Sequence, residues 1–140
     1  MKSHKNWFKK NIHKDDIHNI IKINHKIVGY TLLRNRKIIS LNYKKFFYLD
    51  TLIIKKNERK KNYSKILMNL NNKIIKNNKK ISFLICTKKK IKFYKKFGWK
   101  LLNKKKFKVL DFNFKTSGMI YSNFKKVSLD NLKFFLYRKK

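Results

Sequence analysis

Two stretches of this 140-residue chain carry residue types that do chemistry. Asp50 interrupts a nearly continuous apolar run, FFYLDTLII over residues 46–54. A carboxylate in such a run is costly unless it is paired or used. Asp50 is therefore a candidate base, or else it holds a structural hydrogen bond to Thr51, Ser82 or a backbone amide. Directly after the run come Arg59, Lys60, Lys61 and Lys65, at the start of an amphipathic stretch that opens at Tyr63. Where a buried strand delivers the chain to a helix N-terminus, free N–H groups and the macrodipole attract anions, phosphates above all. Cations there oppose the dipole at a few tenths to about 1 kcal/mol each, a cost that a bound polyanion offsets. Lysines lie everywhere in this chain, so charge alone does not single out the junction.

Other reactive side chains point less clearly to a site. Cys86 is the single cysteine, which excludes an internal disulfide and fits a reducing, cytoplasmic compartment. Set among apolar neighbours with no assigned base, it reads as a small buried hydrophobe and not as a nucleophile. His4, His13, His18 and His25 all fall in the first 25 residues. Their spacing fits no metal site and no thiol or carboxylate cluster completes one, so no metal is expected. They read as solvated or hairpin-edge side chains.

The elements that must position these residues follow from periodicity. Residues 7–14 (Trp7, Phe8, Ile12) suggest a short amphipathic helix. Residues 17–23 and 26–34 read as two strands of a hairpin turning at Asn24-His25. The run 46–54 has the character of a central strand buried on both faces. Tyr63, Ile66, Leu67, Leu70, Ile74 and Ile75 lay one stripe along a helix of about four turns. Residues 81–86 (ISFLIC) form a short buried strand, and residues 91–97 a second helix closed by Gly98. Beyond Trp99, residues 107–114, 119–121 and 134–137 are strand-like. The expected order is α-β-β-β-α-β-α-β, an α/β or α+β fold, with residues 1–140 as a single domain. No stretch approaches the eighteen apolar residues of a membrane span, and no secretory signal is visible.

Forty Lys+Arg against six Asp+Glu give a formal charge of +34, which attracts polyanions. Yet 36 of the 40 basic residues are Lys, Asn and Ile occur 17 times each, and Ala, Gln and Pro are absent, the pattern of A+T coding bias. A chain selected for nucleic acid should also favour Arg, and only Arg34, Arg36, Arg59 and Arg138 occur. Nucleic acid is thus expected to bind only through non-specific charge.

Arg59-Lys60-Lys61-Asn62-Tyr63-Ser64, followed by Ile66-Leu67-Met68, together with Phe93-Tyr94-Lys95-Lys96-Phe97-Gly98-Trp99, resembles the GNAT N-acetyltransferase superfamily. That family's cofactor motif is an apolar strand, a short loop and then Arg/Gln-x-x-Gly-x-Gly/Ala opening a helix. Its second motif is an aromatic pair and a Gly-aromatic step closing a short helix. This chain departs at Asn62 and Ser64, where the family has glycine or another small residue. Asn is the non-Gly residue most at ease in left-handed geometry. A second departure is the short stretch before the hairpin, an abbreviated N-terminal region in an otherwise GNAT-like fold with a mixed central sheet flanked by helices.

The resemblance implies an acetyl-CoA-dependent N-acyltransferase that moves an acetyl group to a primary amine of a small-molecule acceptor by direct attack. Acetyl-CoA would lie in a cleft between residues 48–54 and 81–86. Backbone groups of Leu52, Ile53 and Ile54 would pair with the pantetheine arm. Arg59, Lys60, Lys61, Asn62, Tyr63, Ser64 and Lys65 would hold the pyrophosphate, and Lys90 and Phe93 would flank the arm. Tyr94 matches the family's usual acid, and a phenol near pKa 10 can donate to a developing thiolate. The resemblance leaves the acceptor pocket either abbreviated or completed by a second copy in a homodimer. Two other classes stay open: a basic nucleic-acid or ribosome-associated module, and a GNAT-like domain that binds acyl-CoA without turnover.

Overall fold

The computed structural model describes residues 12–38, 44–110, 113, 115–122 and 131–136. Strands β1 (Ile17–Ile23) and β2 (Lys26–Ile38) form the expected antiparallel hairpin. Asn24 and His25 both take positive φ, 48° and 65°, as a two-residue turn matching the strand twist requires. β3 (Lys44–Ile54) pairs antiparallel with β2 along most of its length. Helix α1 (Tyr63–Asn77) then leads to β4 (Ser82–Cys86), which lies parallel to β3. Helix α2 (Ile91–Lys95) follows, and β5 (Lys100–Leu101), β6 (Phe107–Val109), β7 (Ser117–Tyr121) and β8 (Leu132–Phe134) close the chain. The mixed sheet runs β5-β7-β4-β3-β2-β8-β6, with β1 on β2 as well, so the run 46–54 does occupy the centre.

Side-chain alternation sends β2 and β3 residues to two cores. Leu33, Phe47 and Leu49 pack with Met68 and Ile75 of α1 and with Trp99. Ile38, Phe46 and Tyr48 pack on the opposite face with Phe83, Phe107, Phe134 and Leu136. There the Phe83 and Phe134 rings stack at 4.2 Å, with Phe107 edge-on to Phe83 at 5.5 Å. Only glycine fits at 118 beneath them: a Cβ there would lie 2.6 Å from Phe107 Cζ and 2.8 Å from Phe83 Cε2.

Three expectations need correction. The buried residues of α1 are Leu67, Met68, Asn71 and Ile75, whereas Ile66 and Leu70 are exposed. The helix is rotated toward Asn71, whose Oδ1 accepts hydrogen bonds from Asn19 Nδ2 (2.8 Å) and Thr31 Oγ1 (3.2 Å). The central strand is buried on both faces only over residues 46–49, and Ile53 near its end is 57% exposed. After α2 come four short strands: β6, β7 and β8 overlap the strand-like segments 107–114, 119–121 and 134–137 with other bounds, and β5 was not expected. The helix expected over 7–14 falls mostly outside the described residues, as do His4 and Arg138.

Candidate active site

The β3–β4 ladder holds only two registered pairs, Phe47↔Ser82 and Tyr48↔Phe83. It is pinned there by Phe47 N–H donating to the Ile81 carbonyl (3.0 Å) and by Ser82 Oγ donating to the Phe47 carbonyl (2.9 Å). Beyond this point β3 runs on to Ile54 along β2 and β4 to Cys86 along β7 without pairing to each other, so the two strands splay. Residues 49–54, including Leu52, Ile53 and Ile54, thus present a strand edge to a gap. Unpaired backbone donors and acceptors of this kind accept an extended ligand as they would a strand.

A bulge marks where the splay begins. Leu32 faces Thr51 and Leu33 faces Leu49, which leaves Asp50 as the extra residue of β3. Its Oδ2 accepts a 2.6 Å hydrogen bond from Nε of Arg34, a fully buried residue on the face away from α1. Arg34 also lies 3.8 Å from Asp16. Asp16 takes a 2.8 Å hydrogen bond from Arg36 Nη1 and others from the backbone N–H groups of Asn35 and His13. Arg36 Nε in turn donates to the Leu136 carbonyl. Asp50 is therefore one end of a buried chain of alternating charges. Of the partners the sequence suggested for it, Ser82 is committed to Phe47. Arg34 was missed, although its signal was present: arginine retained in a chain that otherwise uses lysine, where a planar fork suits a buried ion pair. On the same face the Tyr30 hydroxyl lies 2.8 Å from His18 Nδ1. Burial raises the Tyr30 pKa, with Arg34 opposing and Asp50 and Asp16 adding.

At the open end of the gap β3 passes through one turn of 3₁₀-helix (Lys56–Glu58) into the basic junction. Lys60 and Asn62 both adopt left-handed backbone, with φ of 68° and 63°. These tight reversals turn the chain from the strand end into the first turn of α1. Ile66 N–H already bonds back to the Asn62 carbonyl, and no side chain caps the helix. The N–H groups of Tyr63, Ser64 and Lys65 precede the helix ladder and so remain anion donors. Arg59 Nε donates to the Ile54 carbonyl at 3.2 Å, tying the junction to the strand end. Lys61 pairs with Glu58 at 2.8 Å, a hydrogen bond that raises its pKa.

The other wall of the gap is built by β4 and α2. A turn of 3₁₀-helix, Lys88–Lys90, leads into α2, and Phe93, Tyr94 and Phe97 pack with Cys86 and Trp99 on the α1 side of the sheet. The Phe93 and Tyr94 rings meet edge-to-face at 5.0 Å. The chain leaves α2 through Gly98 at φ 83°, with Gly98 N–H on the Lys95 carbonyl and Trp99 N–H on that of Tyr94. Burial, and next to it Cys86, pushes the Tyr94 phenol up to about 12, and burial raises the Cys86 thiol. Tyr94 and Asp50 thus belong to opposite faces of the sheet on either side of the gap. The described residues contain no group of three or more His, Cys, Asp or Glu able to hold a metal. They also contain no helix long and apolar enough to cross a membrane.

Comparison with known proteins bears on this arrangement. A family model described as acetyltransferase (GNAT) domain matches residues 2–112. Comparison with curated protein sequences gives no match. Among solved structures, the PaiA N-acetyltransferase of Thermoplasma acidophilum, in complex with coenzyme A, is 18% identical with a TM-score of 0.55, over 77% of this chain and 61% of that one. Arabidopsis thaliana Naa50, in complex with a bisubstrate analogue of CoA and a peptide, is 18% identical with a TM-score of 0.62, over 84% and 80%. Tetrahymena GCN5 is 20% identical with a TM-score of 0.62, over 88% and 78%. The chain therefore spans less than two thirds of the Thermoplasma protein. At these identities the likeness is one of fold, and it includes the mixed sheet flanked by helices.

Proposed function

This chain belongs to the GNAT acetyltransferase family, and from that premise we propose that it transfers the acetyl group of acetyl-CoA to a primary amine of a small-molecule acceptor by direct attack. The observation that carries the reading is the splay of β3 from β4 with a left-handed, cationic helix start at its mouth. The open edge at Leu52, Ile53 and Ile54 pairs with the pantetheine amides. The pyrophosphate rests on the N–H groups of Tyr63, Ser64 and Lys65, within the field of Arg59, Lys60, Lys61 and Lys65. Asn62 supplies the reversal that aims those groups, and Lys90 and Phe93 flank the arm from the α2 side.

The acceptor amine attacks the thioester carbonyl, the C–N bond forms, and the C–S bond breaks to release a thiolate. Asp50, at the bulge where the gap opens, receives the proton of the attacking amine, directly or through water, with Arg34 fixing the carboxylate. Tyr94 faces the leaving sulfur. With its pKa raised by burial to about 12, the phenol is a weaker acid than a thiol, so complete proton transfer to the leaving sulfur is uphill. Tyr94 therefore stabilises the thiolate by a hydrogen bond, and the sulfur takes its proton from water. The strongly positive surface favours acceptors that are neutral or acidic overall over polyamines. A cytoplasmic setting belongs to the same reading, supported by the lone, buried Cys86.

Calorimetry with acetyl-CoA tests it. Saturable one-to-one binding, much stronger than for ATP and weakened by R59A/K61A, is the expected result, followed by acetyl transfer across a panel of small amines and N-terminal peptides. Binding indistinguishable from that of ATP would sink the proposal. Binding without transfer to any amine would favour a domain that holds acyl-CoA without turnover, for which Asn62 and Ser64, where the family has glycine or another small residue, are the supporting observation.

A further inference from the structure

On the face of the sheet away from α1, the outward side chains of β1, β2 and β3 lie in cross-strand rows. Residues paired directly across neighbouring strands share a face. The outer row is Ile20, Tyr30 and Ile53, one from each strand. Thr31 and Leu52, which alternate with it, point toward α1, so this row points away. The middle row is His18, Leu32 and Thr51, and beyond it lie Arg34 and, at the bulge, Asp50. Ile20 and Ile53 stand open to solvent, 44% and 57% exposed, while Leu32 between the rows is fully buried and the Asp50 side chain is 12% exposed. Tyr30 is half-buried, and its hydroxyl is held by His18 Nδ1 at 2.8 Å. None of these side chains is lysine, in a chain where 36 of 140 residues are. An apolar shelf with a charged end thus runs up to the bulge where the gap opens.

We propose that this face seats the acceptor, a monoamine on an aryl or alkyl body, with the amine at Asp50 and the body on the row of Ile20, Tyr30 and Ile53. The inference rests on the acetyl-transfer reading above and narrows its substrate class. The Asp50 carboxylate complements an amine head, whereas the row offers a ligand body only carbon and a tyrosine hydroxyl already bonded to His18. A hydroxyl-rich body laid there would leave its polar groups without partners, a cost that the apolar contact does not offset. A polyamine fails for a related reason, because its second charge would rest on a row that holds no carboxylate. The row is continuous with the gap, since β3 supplies both the edge that faces β4 and the side chain of Ile53. It also sets a length. Ile53 lies three residues from Asp50, about 10 Å along β3 at 3.3 Å per residue, so the body must extend roughly three or four methylenes beyond the amine.

Calorimetry with 4-phenylbutylamine at 150 mM KCl, with and without saturating CoA, tests this. No acetyl group is transferred in that measurement, so its failure and the failure of the acetyl-CoA titration are separate results. The expected outcome is saturable one-to-one binding, at least fivefold tighter than that of benzylamine, ethanolamine or spermidine. Asp50→Asn should weaken the amine at least tenfold. I20T/Y30T should do the same, and I20T alone, at an exposed position, should cost about threefold. I27T removes an isoleucine that is 56% exposed but lies off the rows, and it should change binding less than twofold. The proposal is overturned if the intact chain does not bind 4-phenylbutylamine, if it captures spermidine or ethanolamine as tightly, or if I27T loses as much as I20T/Y30T. It is overturned too if sedimentation shows a dimer that I20T/Y30T dissociates, because a second copy would then cover the row.

Discussion

At the scale of single residues, the site is decided by which polar groups the apolar sheet admits. Asp50 was legible because a carboxylate in FFYLDTLII is conspicuous, but its partner was not. Arg34 lies sixteen residues earlier on another strand, and only the antiparallel register brings the two to 2.6 Å. Tyr94 was legible through its motif, whereas its environment was not, since burial against Cys86 and Trp99 depends on how α2 folds back. That burial has a kinetic consequence. With its folded pKa raised to about 12, the phenol keeps its proton throughout the working range of an assay and is lost as a donor only above about pH 11. Tyr94→Phe should therefore lower kcat by about 10–100-fold, near the loss of one hydrogen bond to developing charge, with the KM for acetyl-CoA changed less than threefold. The variant and the parent should show kcat profiles of the same shape between pH 6 and 10. Steady-state kinetics over that range checks it, and a high-pH limb that vanishes in the variant would contradict it.

At the scale of elements, the strand-turn-helix junction shows what pattern reasoning sees and what it misses. The helix start at Tyr63 and the strand end at Ile54 were evident from periodicity, because each is long and strongly apolar on at least one side. The rotation of α1 was not evident, because Ile66 and Leu70 count as core in any apolar stripe while Asn71 does not. Two side-chain hydrogen bonds to that asparagine outweigh the preference. The left-handed residues were half visible: Asn62 in a position suited to glycine, Lys60 with no such hint. A long side chain at φ 68° costs about 1 kcal/mol more than glycine would. Lys60→Gly should therefore stabilise the fold by no more than about 0.5 kcal/mol, once the ~0.4–1 kcal/mol of entropy that glycine adds to the unfolded chain is subtracted. Asn62→Val should destabilise it by about 1–2 kcal/mol, since a β-branched residue fits that conformation worst. Urea unfolding of both variants would test the pair, and a neutral Asn62→Val would show that the loop relaxes.

At the scale of the whole molecule, composition misled least about class and most about cause. Apolar content sufficient for a core gave one sheet with a core on each face, and the A+T bias explains lysines that the architecture simply tolerates. The closing strands β5, β6 and β8, two or three residues each, were poorly bounded because they are shorter than two full periods of the strand alternation. A charge of +34 also acts on the folded state as self-repulsion. Raising KCl from about 0.1 to about 1 M shortens the screening length from about 10 to about 3 Å. We therefore expect the Tm to rise by about 5 °C or more, read by calorimetry at fixed protein concentration. A Tm that falls would mean that exposed ion pairs such as Lys61–Glu58 outweigh the self-repulsion.

The seam between β3 and β4 has one more consequence. Two ladder pairs are all that stitch β4, β7 and β5 to the rest of the sheet, so the chain carries a pair of bare strand margins in its interior. Such margins are templates for strand exchange and fibrillar stacking between copies. A small molecule lodged in the seam would act as a seal as much as a reactant, and the same-sign charge over the surface would keep neighbouring copies from reaching an unsealed one.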